Sequence, residues 1–274
     1  MRPYGFLLPD WSKNSLRSLS SSRSRALPAV SERSRSFGPR PTATRSWWRQ
    51  QAISSSINPF DPLAALTPVA KVAEIPIVFC SNPSVQAHDL AQFIAYARAH
   101  RGKLNYGSPG NGSVNHLLVE NFKRVADIEI AHIPYRGSPP ATLAAVANEI
   151  QLYAIGLAAV AGHLKEGKLT ALAVTANQRL PMLPEVQTVV EAGFPSLAIS
   201  NWWGMAAPKQ TSDAVIGVLH QAIAEALSDT TVVERFATLG MLVPTQTREQ
   251  FVASLSAEAD FWSQIIQRGK FVIE

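Results

Sequence analysis

The sequence predicts an α/β protein whose strands pair in parallel through right-handed crossovers. Short apolar runs of strand length alternate with segments of helical period between residues 75 and 175. Glycine- or proline-bearing turns separate them, the densest being Gly107-Ser108-Pro109-Gly110-Asn111-Gly112, which no regular element tolerates. Two of these turns lie where a strand hands over to a helix. In parallel sheets that is the carboxyl end of the strands, where ligands sit.

Residues 1–53 stand apart from this pattern. Ser and Arg dominate, as in Ser20-Ser21-Ser22-Arg23-Ser24-Arg25, and neither a helical nor an alternating period survives for more than a few positions. Such a segment buries too little apolar surface to offset its ordering entropy, so disorder is expected. The apolar run at Phe6-Leu7-Leu8 is too short for the core of a secretory signal.

From Ile57 the texture is that of a folded chain. Residues 75–79 read as a short buried strand, and residues 89–101 as a helix with Leu90, Phe93, Ile94 and Ala97 on its apolar side, closed by Gly102. Leu104-Asn105-Tyr106 ends the next strand. After the glycine turn Ser113 is placed as N-cap of a helix whose inner face is Val114, Leu117, Leu118, Phe122 and Val125. Residues 128–133 alternate like a strand and stop at Pro134. Tyr135-Arg136-Gly137 then turns into a helix capped by Ser138, with Pro139 in its first position. Residues 150–153 and 169–175 are two further strands, separated by a helix that ends before Gly167.

The last third is helical. Ser212 is placed as cap of a helix with Val215, Ile216, Leu219, Ile223 and Leu227 facing inward. Thr247 and Gln250 have the spacing of a capping box, followed by the stripe Phe251, Leu255, Trp262, Ile265 and Ile266 up to about Gly269. Trp202 and Trp203, in an extended stretch, fit either core packing or contact with a ligand.

Composition bounds the chemistry. No run approaches the roughly 18–20 apolar residues that cross a bilayer. Cys80 is the single cysteine, so no internal disulfide forms. The six histidines fall in no metal-ligand spacing, and neither a metal nor a cofactor is implied. Of the 25 basic residues ten lie in the first 50 positions against two acidic ones, leaving 15 basic and 18 acidic in the rest. The folded body therefore has no cationic face for nucleic acid. A basic arm for RNA at the N-terminus would lack interleaved aromatics.

The turn before Ser113 is the feature with chemistry. A helix start offers unpaired N–H groups and a positive dipole end, a place for a carboxylate or phosphate. No Lys precedes Ser113, so this is not a Walker A loop, and the spacing is not GxGxxG. Tyr106-Gly107-Ser108-Pro109-Gly110 resembles the nucleophile elbow GxSxG except at Tyr106. A serine hydrolase with Ser108 as nucleophile and His163 or His220 as base is the alternative reading, with nothing in the sequence bringing either histidine to Ser108.

The blocks LNYGSPGNGSVNHL, HIPYRGSPPA, AGHLKEGKLTALAVTANQRLPMLPEVQTVVEAGFP and WWGMAAP together resemble the Bug-type extracytoplasmic solute receptors of the tripartite tricarboxylate transporter system. The resemblance runs from about Ile57 to the C-terminus. It implies an α/β, two-lobed periplasmic binding protein fold of type II. The first lobe would be residues 57–102 plus 202–274 and the second residues 103–201. A small organic carboxylate, a di- or tricarboxylate or similar, would be bound in the cleft and handed to membrane permease subunits, without catalysis, in the periplasm. The carboxylate-holding turn of the family falls on Ser108, Gly110, Asn111, Gly112, Ser113 and Asn115, and its Tyr-basic-Gly turn on Tyr135, Arg136 and Gly137. A polar loop on the first-lobe side falls on Ser54, Ser55, Ser56 and Asn58.

Two departures accompany the resemblance. Ala154-Ile155 stands where the family commonly has a polar step after the strand. The signal peptide, first strand and Pro-Gly-Gly loop of the family have no counterpart in residues 1–53, which are expected to be a frame-shifted or wrongly started translation. The first lobe would then be incomplete, and the chain as written would stay in the cytoplasm.

Overall fold

A computed structural model describes residues 46–49 and 66–269. Among the described residues seven strands form one mixed sheet in the order β1-β7-β2-β5-β3-β4, with β6 also paired to β2. The strands are β1 (Ser46–Arg49), β2 (Leu66–Ser81), β3 (Asn105–Ser108), β4 (Ala131–Pro134), β5 (Leu152–Gly156), β6 (Thr170–Val174) and β7 (Ser200–Pro208). The longer helices are α1 (Leu90–Ala99), α2 (Val114–Ala126), α3 (Ser138–Val146), α4 (Ala161–Lys165), α5 (Asp213–Leu227), α6 (Thr230–Thr238) and α7 (Arg248–Gly269).

The strand expected at 75–79 is 16 residues long, and it organises the sheet. Its first part pairs antiparallel with β7, from Leu66 opposite Pro208 to Pro76 opposite Ser200. Its second part pairs antiparallel with β5 on one side and β6 on the other. Pro76 has no N–H to donate, and the ladder with β7 ends there. Parallel pairing, expected throughout, holds only for β3 with β4 and with β5. The remaining pairs are antiparallel: β2 runs against its three neighbours, and β1 runs against β7.

Alternation along β2 explains why its second half is apolar without a break. Ile77 and Phe79 point into one layer, with Phe93 of α1, Leu117 and Phe122 of α2, and Trp262 of α7. Val78 and Cys80 point into the opposite layer, with Ala141 and Ala144 of α3, Tyr153 of β5 and Val174 of β6. Each large side chain so buried contributes about 1.5–3 kcal/mol. Two smaller clusters flank the first half of β2: Val69, Ala70, Ala207 and Ile216, and Trp202 with Phe251 and Leu255.

Several local expectations shift. Residues 46–49, inside the stretch expected to lack regular structure, form β1 against β7; the adjacent tryptophans at 47 and 48 are strand formers. The cap of α3 is Gly137, one residue earlier than Ser138. In α5 Ile216 is buried and Leu219 and Ile223 are partly buried against the Val69–Ala207 cluster, whereas Val215, also expected inward, is 46% exposed. Trp202 packs and donates through Nε1 to Glu258 Oε2 at 2.8 Å, whereas Trp203 is exposed. The capping box is present, with Thr247 N donating to Gln250 Oε1 at 2.9 Å and Gln250 N to Thr247 Oγ1 at 3.3 Å. No described helix is long and apolar enough to cross a membrane.

Candidate functional site

β3 lies between β4 and β5, parallel to both, so its carboxyl end delivers the glycine turn beside the Tyr135-Arg136-Gly137 turn. The two turns are tied by backbone: Tyr135 N donates to Ser108 O at 2.9 Å and Gly137 N to Pro109 O at 3.0 Å. Gly110 and Gly112 have φ of +146° and +70°, conformations that side chains resist, which is why this short connection needs glycine at both. Ser113 returns to extended backbone and caps α2, its Oγ accepting from His116 N at 3.2 Å and donating to Gly110 O at 2.8 Å.

Part of the turn is internally satisfied. Gly110 N donates to Ser108 Oγ at 3.2 Å, Gly112 N to His116 Nδ1 at 3.1 Å, and Ser113 N to Gly110 O at 3.3 Å. Among the described residues the amides of Asn111, Val114 and Asn115 donate to no protein acceptor. Two of these N–H groups lie in the first turn of α2 and the third in the glycine turn before its cap. The side chain of Asn115 is occupied, its Nδ2 donating to Ala154 O at 2.9 Å and pinning α2 onto β5. Arg136 is exposed and, among the described residues, pairs with no carboxylate. Ser54, Ser55, Ser56 and Asn58 lie outside the described residues.

Ser108 is fully buried and contacts a histidine, though neither of the two expected. His132 Nε2 lies 2.7 Å from its Oγ. The hydroxyl also contacts Gly110 O at 3.0 Å and Gly110 N at 3.2 Å. One assignment satisfies all three: the hydroxyl donates to Gly110 O and accepts from Gly110 N–H and from a protonated His132 Nε2. His132 is then a donor and not a base toward Ser108, and its ring is pushed down to about 4, mainly by burial. His220 Nδ1 is instead 3.1 Å from Val69 O. Nothing here supports a hydrolase.

Sequence reasoning passed over the histidines behind the turn. His132 stands opposite Tyr106 in the β3–β4 register, and His116 lies one turn into α2. The rings of His116 and His132 stack at 4.0 Å and those of Tyr106 and His132 at 4.7 Å. Tyr106 Oη donates to Glu120 Oε1 at 2.5 Å, and Lys123 Nζ reaches the same oxygen at 2.6 Å. Burial lowers the His116 pKa, Lys123 adds to the lowering, and Glu120 opposes it. In-register pairing of Tyr106 with His132 was the available signal, but it requires the strand partner to be known. Among the described residues no cluster of His, Cys, Asp or Glu is placed to hold a metal.

Residues 51–270 match the family model described as tripartite tricarboxylate transporter family receptor. Protein BugT of Bordetella pertussis is 32% identical over 209 residues, covering 76% of this chain and 64% of BugT. The chain thus spans less than two thirds of the length of that relative. A solved periplasmic transporter superposes with a TM-score of 0.77 at 30% identity, covering 84% of this chain and 79% of the other. Rpa4515 of R. palustris, solved with adipate, gives 0.71 at 27% identity over 77% of this chain and 71% of its own. MatC of Rhodopseudomonas palustris, with bound malate, gives 0.66 at 28% over 73% and 69%.

Proposed function

This chain belongs to the tripartite tricarboxylate transporter receptor family, and from that premise we propose that it is a solute-binding receptor for a small organic carboxylate, acting without catalysis. The observation that carries the reading is the trio of undonated amides, Asn111, Val114 and Asn115, where the two glycine turns meet. Adipate and malate in two structural neighbours support a dicarboxylate as the class of ligand. One carboxylate would sit on the amides around the α2 start, with Tyr135, Arg136 and Gly137 as its second wall. Ser56 and Asn58 are proposed for the opposite side.

Two lobes are part of the proposal. The sheet pairing supports drawing their division at Pro76-Ile77, where β2 leaves β7 for β5 and β6, so that α1 packs with the second lobe. Closure over the ligand would exclude water, and membrane permease subunits would receive the cargo on the periplasmic side. Calorimetric titration of the full chain with adipate, malate and citrate tests the reading. Saturable binding of at least one with one-to-one stoichiometry is expected, and folded protein that binds none of them would refute it. Burst release of nitrophenol from an activated ester would favour the hydrolase instead.

A further inference from the structure

The contact between Gly112 and His116 has a property that its neighbour between Ser108 and His132 lacks. Gly112 N–H donates to His116 Nδ1 at 3.1 Å, so that nitrogen must carry a lone pair and the proton of the neutral ring is on Nε2. In the assignment above His132 meets Ser108 through a protonated Nε2, and on that assignment it keeps the hydrogen whether its ring is neutral or charged. A proton arriving at His116 Nδ1 would face the Gly112 N–H donor to donor. The glycine it holds is in the left-handed region, at φ +70°, one residue before the α2 cap. The hold therefore fixes where the helix start and its undonated amides point.

We propose that His116 is the positioning residue of the carboxylate seat, its Nδ1 lone pair clamping the Gly112 amide, and that protonation of this ring releases the turn. The inference rests on the seat reading above for its functional meaning, while the clamp itself rests on the contact. Among the groups facing the ring are Glu120 and Lys123 from α2, Tyr106 from β3 and His132 from β4. Lys123 and a charged His132 oppose protonation and Glu120 favours it. With stacked imidazoles at 4.0 Å the two rings titrate as a coupled pair, and the second charge is the harder to add. Burial lowers the His116 pKa below the ordinary 6.5, so the clamp is closed at neutral pH.

Three proteins and two readouts test this. His116→Asn keeps an acceptor near the Nδ1 position that cannot be protonated, and His116→Phe keeps a flat ring without any acceptor. By amide hydrogen exchange on the full chain, Gly112 should be protected at pH 7.5 in wild type and His116→Asn and unprotected in His116→Phe. As the pH is lowered from 7.5 until the His116 ring signals report protonation, the wild-type protection factor should fall at least ten-fold in step with them, while that of His116→Asn stays level. At pH 7.5 adipate should bind His116→Asn within about two-fold of wild type and His116→Phe about ten-fold more weakly, the scale of one hydrogen bond.

Unprotected Gly112 in the wild type at pH 7.5, or protection that stays level while the His116 ring takes up its proton, would overturn the proposal. Should His116→Phe fail to fold, the wild-type and His116→Asn profiles decide alone. Loss of protection in step with the ring, with no dicarboxylate bound at any pH, would uphold the clamp and bring down the carboxylate reading instead.

Discussion

Ser113→Asp separates the role of the α2 start in folding from its role in binding. Aspartate is as good an N-cap as serine, and its carboxylate can take the His116 N–H that Ser113 Oγ now accepts at 3.2 Å. The bond lost is Ser113 Oγ to Gly110 O at 2.8 Å, but that carbonyl retains Ser108 Oγ at 3.0 Å and Ser113 N at 3.3 Å. The added charge also lies at the positive end of the helix, a gain of about 0.3–1 kcal/mol. Unfolding free energy should therefore change by no more than about 0.5 kcal/mol. Binding should respond differently. Two carboxylates about 4 Å apart repel by about 4 kcal/mol at an effective dielectric of about 20, nearly a thousand-fold in affinity before screening. Calorimetry should show adipate binding weakened at least a hundred-fold, with an unchanged urea midpoint. Ser113→Ala reverses the pattern, losing about 1 kcal/mol of stability through the cap and only a few-fold in affinity. The same charge at Gly112 would confound the two effects, because φ there is +70° and an aspartate adds strain. Wild-type affinity in Ser113→Asp, or equal losses in Ser113→Asp and Ser113→Ala, would refute the placement of the carboxylate at this helix start.

Other expectations concern the body of the fold. Gly204→Ala would set a Cβ 2.9 Å from Phe251 Cζ and 3.2 Å from Ala70 O, the second a backbone atom that cannot swing aside. It should lower the urea-derived stability by about 1–3 kcal/mol, and a neutral result would contradict the close approach of β7 to β2. The Cys80 thiol is fully buried and pushed up to about 12, so a disulfide reagent should modify it only after denaturant is added; reaction in native buffer at the rate of a free thiol would exclude this burial. Burial pushes His132 down to about 4 from an ordinary 6.5, so the unfolded chain binds more protons between those values. Stability should thus be full above about 6.5 and fall as the pH drops toward 4. The melting temperature should be lower at pH 4.5 than at pH 7.5, with a shallower slope in His132→Gln; a melting temperature that rises on acidification would contradict it.

The parts of the fold that could be read in the sequence are those set by local chemistry. The glycine turn, the Ser113 cap and the Thr247–Gln250 box depend on residues within four positions of one another, and the structure has all three. The apolar run at 75–79 was legible as a strand, but Val69, Ala70 and Ala73 upstream are interrupted by Lys71 and Glu74. That pair reads as surface, although its members form an ion pair on an ordered strand. Strand direction was not legible, because it depends on which partner β2 meets on each side of Pro76. The exposure of Val215 on α5 was not legible either: it has the same inward spacing as Ile216 and Leu219, yet only those two meet the cluster around Val69.

The candidate site shows the same division more sharply. The family resemblance put Ser108, Gly110, Asn111, Gly112, Ser113 and Asn115 in one set of contacts, but a hydrogen already donated inside the protein is not free for a ligand. Ser108 Oγ is taken up by Gly110 and His132, Gly112 N by His116, and Asn115 Nδ2 by Ala154 O. Each of these bonds removes a group from the set that could meet a ligand and fixes the position of one that remains. With Asn115 pinned to β5 and Gly112 held by His116, the amides of Asn111, Val114 and Asn115 would need little reorganisation if they hold the carboxylate as proposed. Rigid donors of this kind bind more tightly per contact than flexible ones because their ordering entropy was lost in folding. The histidine pair is chemically the least expected part of the candidate site, and it is brought together by β4 in register with β3 and by the first turn of α2 rather than by any motif.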